Sequence, residues 1–353
     1  MLSTVYNKIG DAVVITKLTT QQPDYLHVFF DACVHAGVEY VVMEVAAQAF
    51  SLYRVHGLQF DMAIFINFSQ EHGEFYPTLN DYFAAKAKII EHMKPGGGPL
   101  LINADDERVK NWGINYENVC LFSPLNLIRA QATVRPGCAQ SQANISKDSS
   151  GQRTTTDLSY SCPALLGAFN QYNIAAATKC AELFGCRLSQ IQQALQTFPG
   201  VPGRLEKYDL PNGALGIIDY AHTPSSFEAV LSELRKLTDH LIVVFGCGGD
   251  RDITKRPLMG SIASKIAMHV IITADNPRSE NLSTINQHIL AGIAPSEKNR
   301  VEVIEDREQA IRKAYALSYK GSIIVLLGKG PDEYQIVLGA TYPFSEKAIL
   351  KSL

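Results

Sequence analysis

The amino-acid sequence predicts an α/β protein with two doubly wound domains, each built on a mainly parallel sheet. Short apolar runs alternate along the chain with segments of helical periodicity, which is typical of repeated strand–helix units. Three of these runs, at 215–219, 241–246 and 268–273, end abruptly in polar and charged residues. Continuous apolar runs of this length suit strands that are buried on both faces of a parallel sheet.

The first half of the chain predicts one such sheet with helices between its strands. The strands are expected to be buried and to lie at 40–43, 60–66, 99–103 and 119–122. The helices are expected at 23–37, 78–93, 170–184 and 188–197. Short polar alternations between Gln131 and Leu158 predict a small antiparallel excursion with an exposed loop near 147–153.

The second half shows the same alternation with greater regularity. Its predicted strands lie at 215–219, 241–246, 268–273, 301–304 and 322–327. Its predicted helices lie at 225–237, 257–267, 283–293 and 306–318. The two prolines of Pro199-Gly200-Val201-Pro202 indicate a linker, so we expect one domain over 1–200 and another over 201–353.

The composition is that of a globular protein with a large core. Of the 353 residues 46% are hydrophobic, and the net charge of −3 gives no electrostatic reason to expect nucleic acid or membrane binding. No apolar run approaches the roughly 18 residues that span a bilayer. The N-terminus lacks the apolar core of a signal peptide, and the seven cysteines contain no Cys-x-x-Cys pair. We therefore expect a cytoplasmic protein.

Two polar side chains follow predicted strands of the first half. Glu44 comes directly after one strand, and His72 lies just beyond the next. A carboxylate and an imidazole at neighbouring strand ends can hold a hard divalent ion, with water and phosphate completing the shell. A solvated strand end explains the same spacing equally well. Lys86 lies within a predicted helix and by itself has the features of an exposed helical lysine.

Polar residues at the ends of the three apolar runs predict a ligand site in the second half. In open α/β sheets, ligands bind in the crevice outside the carboxyl ends of the strands. We therefore expect one crevice to be lined by Asp219, His222, Asp250, Arg251, Asn276 and Arg278. A buried, satisfied histidine is the alternative for His222. The fork of Arg278 suits two-bond capture of a carboxylate, whereas the glycines at 246–249 are only weak evidence for a phosphate cradle.

Short motifs spread over nearly the whole chain resemble one known family. In the first half they are Thr19-Thr20, Met43-Glu44-Val45, Asn67-Phe68-Ser69-Gln70-Glu71-His72, Ala85-Lys86-Ala87-Lys88, Asn103-Ala104-Asp105-Asp106 and Phe169-Asn170-Gln171-Tyr172-Asn173. In the second half they are Val201-Pro202-Gly203-Arg204, Asp219-Tyr220-Ala221-His222-Thr223-Pro224, Phe245-Gly246-Cys247-Gly248-Gly249-Asp250-Arg251, Asp275-Asn276-Pro277-Arg278 and Gly328-Lys329-Gly330. In this order they resemble the Mur ligase family.

The resemblance implies an incomplete, P-loop-like central domain followed by a Rossmann-like C-terminal domain. It also implies an ATP-dependent amide ligase of peptidoglycan precursor synthesis. Such a ligase phosphorylates the carboxylate of a UDP-N-acetylmuramoyl dipeptide to an acyl phosphate, which the incoming amine attacks. The Asp-Asn-Pro-Arg form of residues 275–278 is associated with meso-diaminopimelate rather than lysine. This agrees with the chemistry, because diaminopimelate offers Arg278 a second carboxylate and lysine has none.

The resemblance assigns roles to individual residues as well. Glu44, His72 and Lys86 would hold Mg²⁺ and serve catalysis, with Lys86 carbamylated to an anionic ligand. ATP would be bound by Asn170, Asn173, Arg204, Asp219 and His222. The UDP-linked dipeptide would contact Thr19 and Thr20. The incoming meso-diaminopimelate would be bound by Arg251, Asn276, Arg278, Gly328 and Asp332.

The sequence departs from the family pattern in several places. Gly-Lys occurs once, at Gly328-Lys329, without the spacing of a phosphate loop, and the domain that binds the uridine end is not recognised. The family's Glu-Val-Ser-Ser-His reads Glu44-Val45-Ala46-Ala47-Gln48. Its Gly-Lys-Gly-His-Glu reads Gly328-Lys329-Gly330-Pro331-Asp332, with Glu333 as an alternative carboxylate.

These departures leave three interpretations of the chain. The first is a ligase whose phosphate loop lies on a complementing chain or was lost when the gene was defined. The second is an inactive binding module that keeps the amino-acid pocket, and the third is an interaction protein that uses the fold as a scaffold. In the first case we expect residues 1–353 alone not to hydrolyse ATP, because backbone amides and a lysine of such a loop normally cradle the phosphates.

Overall fold

The computed structural model describes residues 1–16, 18–69, 75–124, 146–147, 153–154 and 161–353. Within them the chain divides into two compact units. The first comprises Met1–Cys162 and Gln171–Thr197, and the second comprises Pro163–Asn170 and Phe198–Leu353. No described helix combines the length and the apolar character needed to cross a bilayer.

The first unit contains a short parallel sheet. The described strands of this unit are β1 (Asn7–Ile9), β2 (Ala12–Val14), β3 (Ala63–Phe65), β4 (Leu100–Asn103), β5 (Val119–Phe122), β6 (Ser146–Lys147) and β7 (Arg153–Thr154). Its helices are α1 (Pro23–His35), α2 (Ala47–Ser51), α3 (Leu79–Ala87), α4 (Glu107–Gly113), α5 (Ala168–Leu183), which begins in the second unit, and α6 (Leu188–Thr197). Strands β3, β4 and β5 pair in parallel in this order, and β1–β2 and β6–β7 are antiparallel pairs.

Helices cover both faces of the β3–β4–β5 sheet. Leu100 and Ile102 of β4 pack with Val109 of α4 on one face. Leu101, between them, packs with Ala175 of α5 on the other. Because successive side chains of a strand point to opposite faces, this alternation explains why β4 is buried along its whole length. The predicted α/β class is confirmed for this unit.

The predicted buried strand at 40–43 is wrong. The side chains of Tyr40 and Val42 are 60% and 69% exposed, and only Met43 forms an isolated parallel bridge, to Leu2. Two hydrogen bonds make this bridge, from Leu2 N to Val42 O and from Glu44 N to Leu2 O, both 2.9 Å. A strand needs repeated pairing with a neighbour, and within the described residues this segment has one partner residue only.

Other predictions for the first unit need smaller corrections. The strand predicted at 60–66 is confirmed over Ala63–Phe65, but Ile64 is 41% exposed, so at β3 the covering of one face is incomplete. The helix predicted from residue 78 starts at a Thr78 capping box and ends at Ala87, where a 3₁₀ turn follows. The antiparallel excursion is seen as the β6–β7 pair. Of the exposed loop predicted near 147–153, Lys147 and Arg153 pair with each other as strand residues, and 148–152 lie outside the described residues.

The second unit is a doubly wound six-stranded sheet. The strands of the sheet are β8 (Glu206–Asp209), β9 (Leu215–Asp219), β10 (Leu241–Phe245), β11 (His269–Ile272), β12 (Val301–Val303) and β13 (Ile323–Leu327). Two further strands, β14 (Tyr334–Val337) and β15 (Ala340–Pro343), lie outside it. Its helices are α7 (Pro224–Arg235), α8 (Lys255–Ile266), α9 (Leu282–Leu290), α10 (Arg307–Leu317) and α11 (Glu346–Lys351). The sheet order is β12-β11-β10-β13-β9-β8, parallel except for β8, and β14–β15 is a separate hairpin.

Two apolar layers hold this sheet between its helices. On one face α7, α8 and α9 contribute residues such as Phe227, Met259 and Ile285 to the larger cluster. On the other face α10 and α11 contribute Ile311 and Ile349. Strands β10 and β13 are buried at every position, as the continuous apolar runs predicted.

The sequence analysis missed β8 and the β14–β15 hairpin. The polar run of β8 carries no apolar signal, and it forms a strand because it pairs with β9 at the sheet edge. The hairpin turns at Leu338 and Gly339, whose φ values of +50° and +79° are those of a type I′ turn. Strand β15 is exposed and β14 is mostly half-buried, so neither carries the buried apolar face that marks a strand in the sequence.

A buried ion pair joins α10 and α11 at the carboxyl edge of the sheet. Arg307 Nε donates to Glu346 Oε1 at 2.8 Å, and both side chains are buried. The guanidinium also donates to Ala274 O, two residues beyond the end of β11, at 3.0 Å and to Leu327 O, at the end of β13, at 2.8 Å. Arg307 therefore fixes the points at which the loops after β11 and β13 begin.

We expect Glu346→Gln to lower the free energy of unfolding by about 3–5 kcal/mol, because it leaves the Arg307 charge buried without a counter-charge. Urea unfolding followed by circular dichroism measures this loss.

The matched control is Glu308→Gln, which removes the partner of an exposed pair with Arg312 at 2.8 Å. An exposed helical pair of this kind contributes only about 0.3–0.5 kcal/mol. Equal losses for the two variants would contradict the role given to the buried pair.

Candidate functional site

The carboxyl ends of four parallel strands bring the predicted residues of the second unit to one edge. Strands β9, β13, β10 and β11 are neighbours in parallel register, so the loops that follow them lie side by side. The loops are Asp219–His222, Gly328–Asp332, Gly246–Arg251 and Thr273–Arg278. The structure therefore places all of these segments at one edge of the sheet, whereas a single crevice lined by them stays a prediction.

Asp219 links the loop after β9 to the chain that enters the unit. Its buried carboxylate accepts hydrogen bonds from Leu205 N at 2.8 Å and Ala221 N at 2.7 Å, and its carbonyl accepts from Gly328 N at 3.2 Å. Burial raises the pKa of Asp219, against the lowering effect of the two N–H donors. Asp219 is thus a structural anchor whatever else it binds.

Two exposed side chains, Arg204 and His222, flank this anchor. The Arg204 guanidinium lies over the Tyr220 ring, 5.0 Å from its centroid, and His222 is held by a 2.8 Å contact between its Nδ1 and Tyr220 O. His222 is exposed, so the alternative of a buried histidine is wrong. Both groups remain accessible at the edge of the sheet.

Asn276 is buried and its side-chain oxygen is fully engaged. Oδ1 accepts hydrogen bonds from Lys329 Nζ at 3.3 Å and from Ile336 N in β14 at 3.0 Å. Its backbone carbonyl accepts from Gly249 N at 2.9 Å, which joins the loop after β11 to the loop after β10.

Arg278 has a strained backbone that the β14–β15 hairpin holds in place. Its φ of +52° lies in the left-handed region, which costs a non-glycine residue roughly 1–3 kcal/mol. Arg278 N donates to Ile336 O at 3.0 Å, and Leu338 N donates to Arg278 O at 2.6 Å. The side chain donates from Nη1 to Gly249 O at 2.7 Å, and among the described residues the rest of its fork makes no side-chain hydrogen bond.

Charged groups surround a fully buried lysine beneath these loops. Lys329 Nζ lies 3.7 Å from Asp275 Oδ1, and burial lowers the pKa of Lys329 while Asp275 opposes the change. Burial also raises the pKa of Asp332, against Lys329 and a hydrogen bond with Tyr334. The alternative carboxylate, Glu333, is exposed and accepts from Ser345 Oγ.

The glycine loop after β10 packs against protein rather than forming an open cradle. A Cβ at Gly249 would lie 1.9 Å from the carbonyl oxygen of Pro277, so only glycine allows this approach. Buried Arg256 ties the same loop down by donating to Gly248 O and, through two bonds of 2.8 and 2.9 Å, to Glu280. The phosphate cradle considered at 246–249 gains no support from this packing.

Arg251 and Gly328 complete the predicted set in this unit. Arg251 is exposed, and its guanidinium donates only to the neighbouring Asp250 O, at 3.0 Å, among the hydrogen bonds of the described chain. Gly328 has a φ of +104°, and a Cβ there would lie 2.8 Å from Asp275 Oδ2. A cavity of about 480 Å³ lies against Pro277 and Arg278, but its lining includes neither Asn276 nor Asp332.

In the first unit, Glu44 and the two threonines form one hydrogen-bonded cluster. Thr4 donates to Glu44 Oε2 from its backbone N at 2.9 Å and from its hydroxyl at 2.6 Å. Thr19 contacts the Thr4 hydroxyl at 3.1 Å. Thr20 donates to Glu44 O and accepts from Ala46 N, so it fixes the chain around Glu44. Nothing in the sequence analysis pointed to Thr4.

The other predicted residues of the first unit are less fully defined. Lys86 lies in the last turn of α3 with its Nζ 5.2 Å from the Tyr82 ring centroid, and His72 lies outside the described residues. In the described part of the chain, no three His, Cys, Asp or Glu residues are grouped to hold a metal. Asn170 and Asn173 both lie in α5, where Asn170 Nδ2 donates to Leu166 O at 2.6 Å.

We expect Cys247 to resist alkylation at pH 8. Burial raises the pKa of this thiol from 9.0 to about 12, so almost no thiolate forms at that pH. Exposed Cys186 is the internal control and should react with iodoacetamide in the folded protein. Mass spectrometry of the digested protein measures both modifications; equal labelling before and after urea treatment would contradict the packing of the loop after β10.

Comparisons with known proteins agree with this architecture. Residues 1–181 match the Mur ligase middle domain, and residues 203–330 match the Mur ligase glutamate ligase domain. The UDP-N-acetylmuramoyl-L-alanyl-D-glutamate–2,6-diaminopimelate ligase of Caldanaerobacter subterraneus is 35% identical over 361 residues, covering 100% of this chain and 71% of that protein. The ligase of the same name from Aquifex aeolicus is 35% identical over 355 residues, with the same coverages.

Solved structures show the same fold. A 2,6-diaminopimelate ligase of that name is 29% identical, with a TM-score of 0.56 over 97% of this chain and 70% of that chain. The MurF ligase of Thermotoga maritima, solved in complex with ADP, is 15% identical, with a TM-score of 0.57 over 84% of this chain and 66% of its own. At that identity the second likeness supports the fold alone.

Proposed function

The chain belongs to the Mur ligase family, and we propose that it takes part in one reaction of peptidoglycan precursor synthesis. This reaction is the ATP-dependent ligation of 2,6-diaminopimelate to UDP-N-acetylmuramoyl-L-alanyl-D-glutamate. We also propose 1–200 and 201–353 as the domains of the chain. The relatives that carry this activity in their names match the chain along its whole length.

One observation carries the amino-acid part of the proposal. The loop Asp275–Arg278 is held on both sides by contacts within the protein, from Gly249 N and from the backbone of β14. Such a loop loses little freedom on binding, which favours affinity. It offers an arginine fork at the carboxyl edge of the sheet, where a second carboxylate of the amino acid is recognised in our proposal.

We assign the remaining residues of the second unit by their chemistry. The amino acid is bound by Arg251, Asn276, Arg278, Gly328 and Asp332. In this assignment the two arginines and the Asn276 amide face a carboxylate of the amino acid, and Asp332 faces an ammonium group. The nucleotide is bound by Arg204, Asp219 and His222 with Asn170 and Asn173 of α5. The exposure of Arg204 and His222 supports this assignment, whereas Asp219 already accepts two backbone hydrogen bonds.

In the first unit we propose that Thr19 and Thr20 contact the UDP-linked dipeptide and that Glu44, His72 and Lys86 serve a Mg²⁺ ion. The fit is supported by Glu44, because its Oε2 is held by Thr4 and, among the described hydrogen bonds, its other oxygen accepts none. Carbamylation would turn Lys86 into an anionic ligand. When bound, Mg²⁺ supplies positive charge that neutralises the phosphates of ATP.

The chemistry of the proposed reaction is an acyl transfer. A carboxylate oxygen of the dipeptide attacks the γ-phosphorus of ATP, and ADP leaves. The amine of 2,6-diaminopimelate then attacks the acyl carbon, inorganic phosphate leaves, and the nitrogen loses a proton. Pre-positioning the amine is the contribution we assign to the second unit, because holding two reactants in place lowers the entropic cost of their reaction.

We expect the chain to bind 2,6-diaminopimelate at least ~10-fold more tightly than lysine, since a hydrogen bond to a charged group contributes about 1.5–3 kcal/mol. Arg278→Ala should weaken diaminopimelate binding by ~10–100-fold and leave lysine binding unchanged. Isothermal titration calorimetry on residues 1–353 measures both ligands. Arg312→Ala, which removes a surface arginine of α10, is the control; equal binding of the two amino acids by the parent chain would overturn the proposal.

A separate phosphate-binding segment is part of the proposal. The one Gly-Lys pair of residues 1–353 is unsuited to holding phosphate, because Lys329 is fully buried and contacts Asn276 and Asp275. We propose that a segment outside residues 1–353, on a separate chain or on a longer form of this one, holds the phosphates of ATP.

The polypeptide of residues 1–353 is therefore expected not to turn over ATP, as measured by phosphate release with the dipeptide, 2,6-diaminopimelate and Mg²⁺ present. ATP turnover that Glu44→Ala abolishes would contradict the need for a separate segment and would support a complete ligase.

A further inference from the structure

We infer that Lys329 is a positioning residue for amino-acid selection: with the backbone of β14, it fixes the side-chain amide of Asn276 so that Nδ2 is the group offered to a ligand. This inference rests on the proposed function and adds a residue to it. Lys329 is fully buried and donates to Asn276, so in this inference it acts on a ligand through Asn276.

The orientation of the Asn276 amide follows from its two neighbours. An ammonium group and a backbone N–H both donate hydrogen bonds and have no lone pair to accept one. The atom that faces Lys329 Nζ and Ile336 N must therefore be the oxygen, and no choice of amide flip is left. Among the described residues, Nδ2 has no hydrogen-bond partner of its own.

Lys329 is itself held in place on all sides. Its Nζ lies 5.7 Å from the Tyr334 ring centroid and 5.8 Å from that of Phe344, and Asp275 supplies a counter-charge at 3.7 Å. The rings come from the β14–β15 hairpin and the residue that follows it. A buried lysine without these partners would be costly, so the two rings and Asp275 are what stabilise Lys329 at this position.

A fixed amide has a consequence for selectivity. With both sites on its oxygen filled, Asn276 can donate to a carboxylate but cannot turn to accept from an ammonium group. A rotation of the amide would place NH₂ against the two donors, Lys329 and Ile336 N. At this point 2,6-diaminopimelate presents a carboxylate, whereas lysine presents only an ammonium group. Lys329 therefore weakens the binding of lysine and strengthens the binding of diaminopimelate, in both cases by fixing the Asn276 amide.

Calorimetry with meso-2,6-diaminopimelate and with L-lysine tests this on the full 353-residue chain. Lys329→Met keeps the length of the side chain and removes the donor. We expect the Kd for lysine divided by the Kd for diaminopimelate to fall by about tenfold, because diaminopimelate binds more weakly and lysine more tightly. In an Asn276→Ala background the same change should leave the ratio unaltered, because Lys329 acts through Asn276.

A merely structural lysine would weaken both ligands equally in both backgrounds, and that result would overturn the inference while leaving the proposed function intact. Equal binding of the two amino acids by the parent chain would overturn both.

Asn276→Asp keeps the test decisive if Lys329→Met does not fold, which circular dichroism shows. The aspartate keeps one oxygen on Lys329 and Ile336 N and presents its second oxygen, an acceptor, to the ligand. We expect the preference to shift by more than tenfold towards lysine. An Asn276→Asp chain that still prefers diaminopimelate as the parent does would contradict the assigned orientation.

Discussion

The buried pair of Arg307 and Glu346 sets the geometry on which the carboxyl edge of the second sheet depends. Arg307 bonds to the carbonyls of Ala274 and Leu327, the last residues before Asp275 and Gly328. Two loops that lie far apart in sequence therefore start from points held by one side chain. Glu346, from the C-terminal helix, makes that arrangement tolerable by supplying the counter-charge.

Above this pair, the site is built from contacts between loops rather than within them. The hairpin β14–β15 holds the strained backbone of Arg278, and Gly249 allows the glycine loop to close on Pro277. Lys329 and Asn276 connect the loops after β13 and β11. Because these bonds are made within the protein, they restrict the loops at this edge, and a restricted loop loses less freedom when a ligand binds.

The sequence predicted most of the second unit and less of the first. Strands β9, β10, β11 and β13 were predictable because each is a continuous apolar run buried on both faces. The segment Tyr40–Met43 has the same pattern but is exposed, since an apolar run becomes a strand only where a neighbour pairs with it. The polar strand β8 shows the converse, because its pairing with β9 and not its composition makes it a strand.

By itself the sequence determined the α/β class, the membership of the Mur ligase family and the edge at which Asp219, Asn276 and Arg278 gather, because these follow from local periodicity and from motifs at strand ends. Only the tertiary structure decided that Lys329 is buried under Asn276, that Thr4 holds Glu44 and that the hairpin bonds to Arg278. These contacts join residues distant along the chain, and no local pattern encodes the burial and the partners that give a side chain its role.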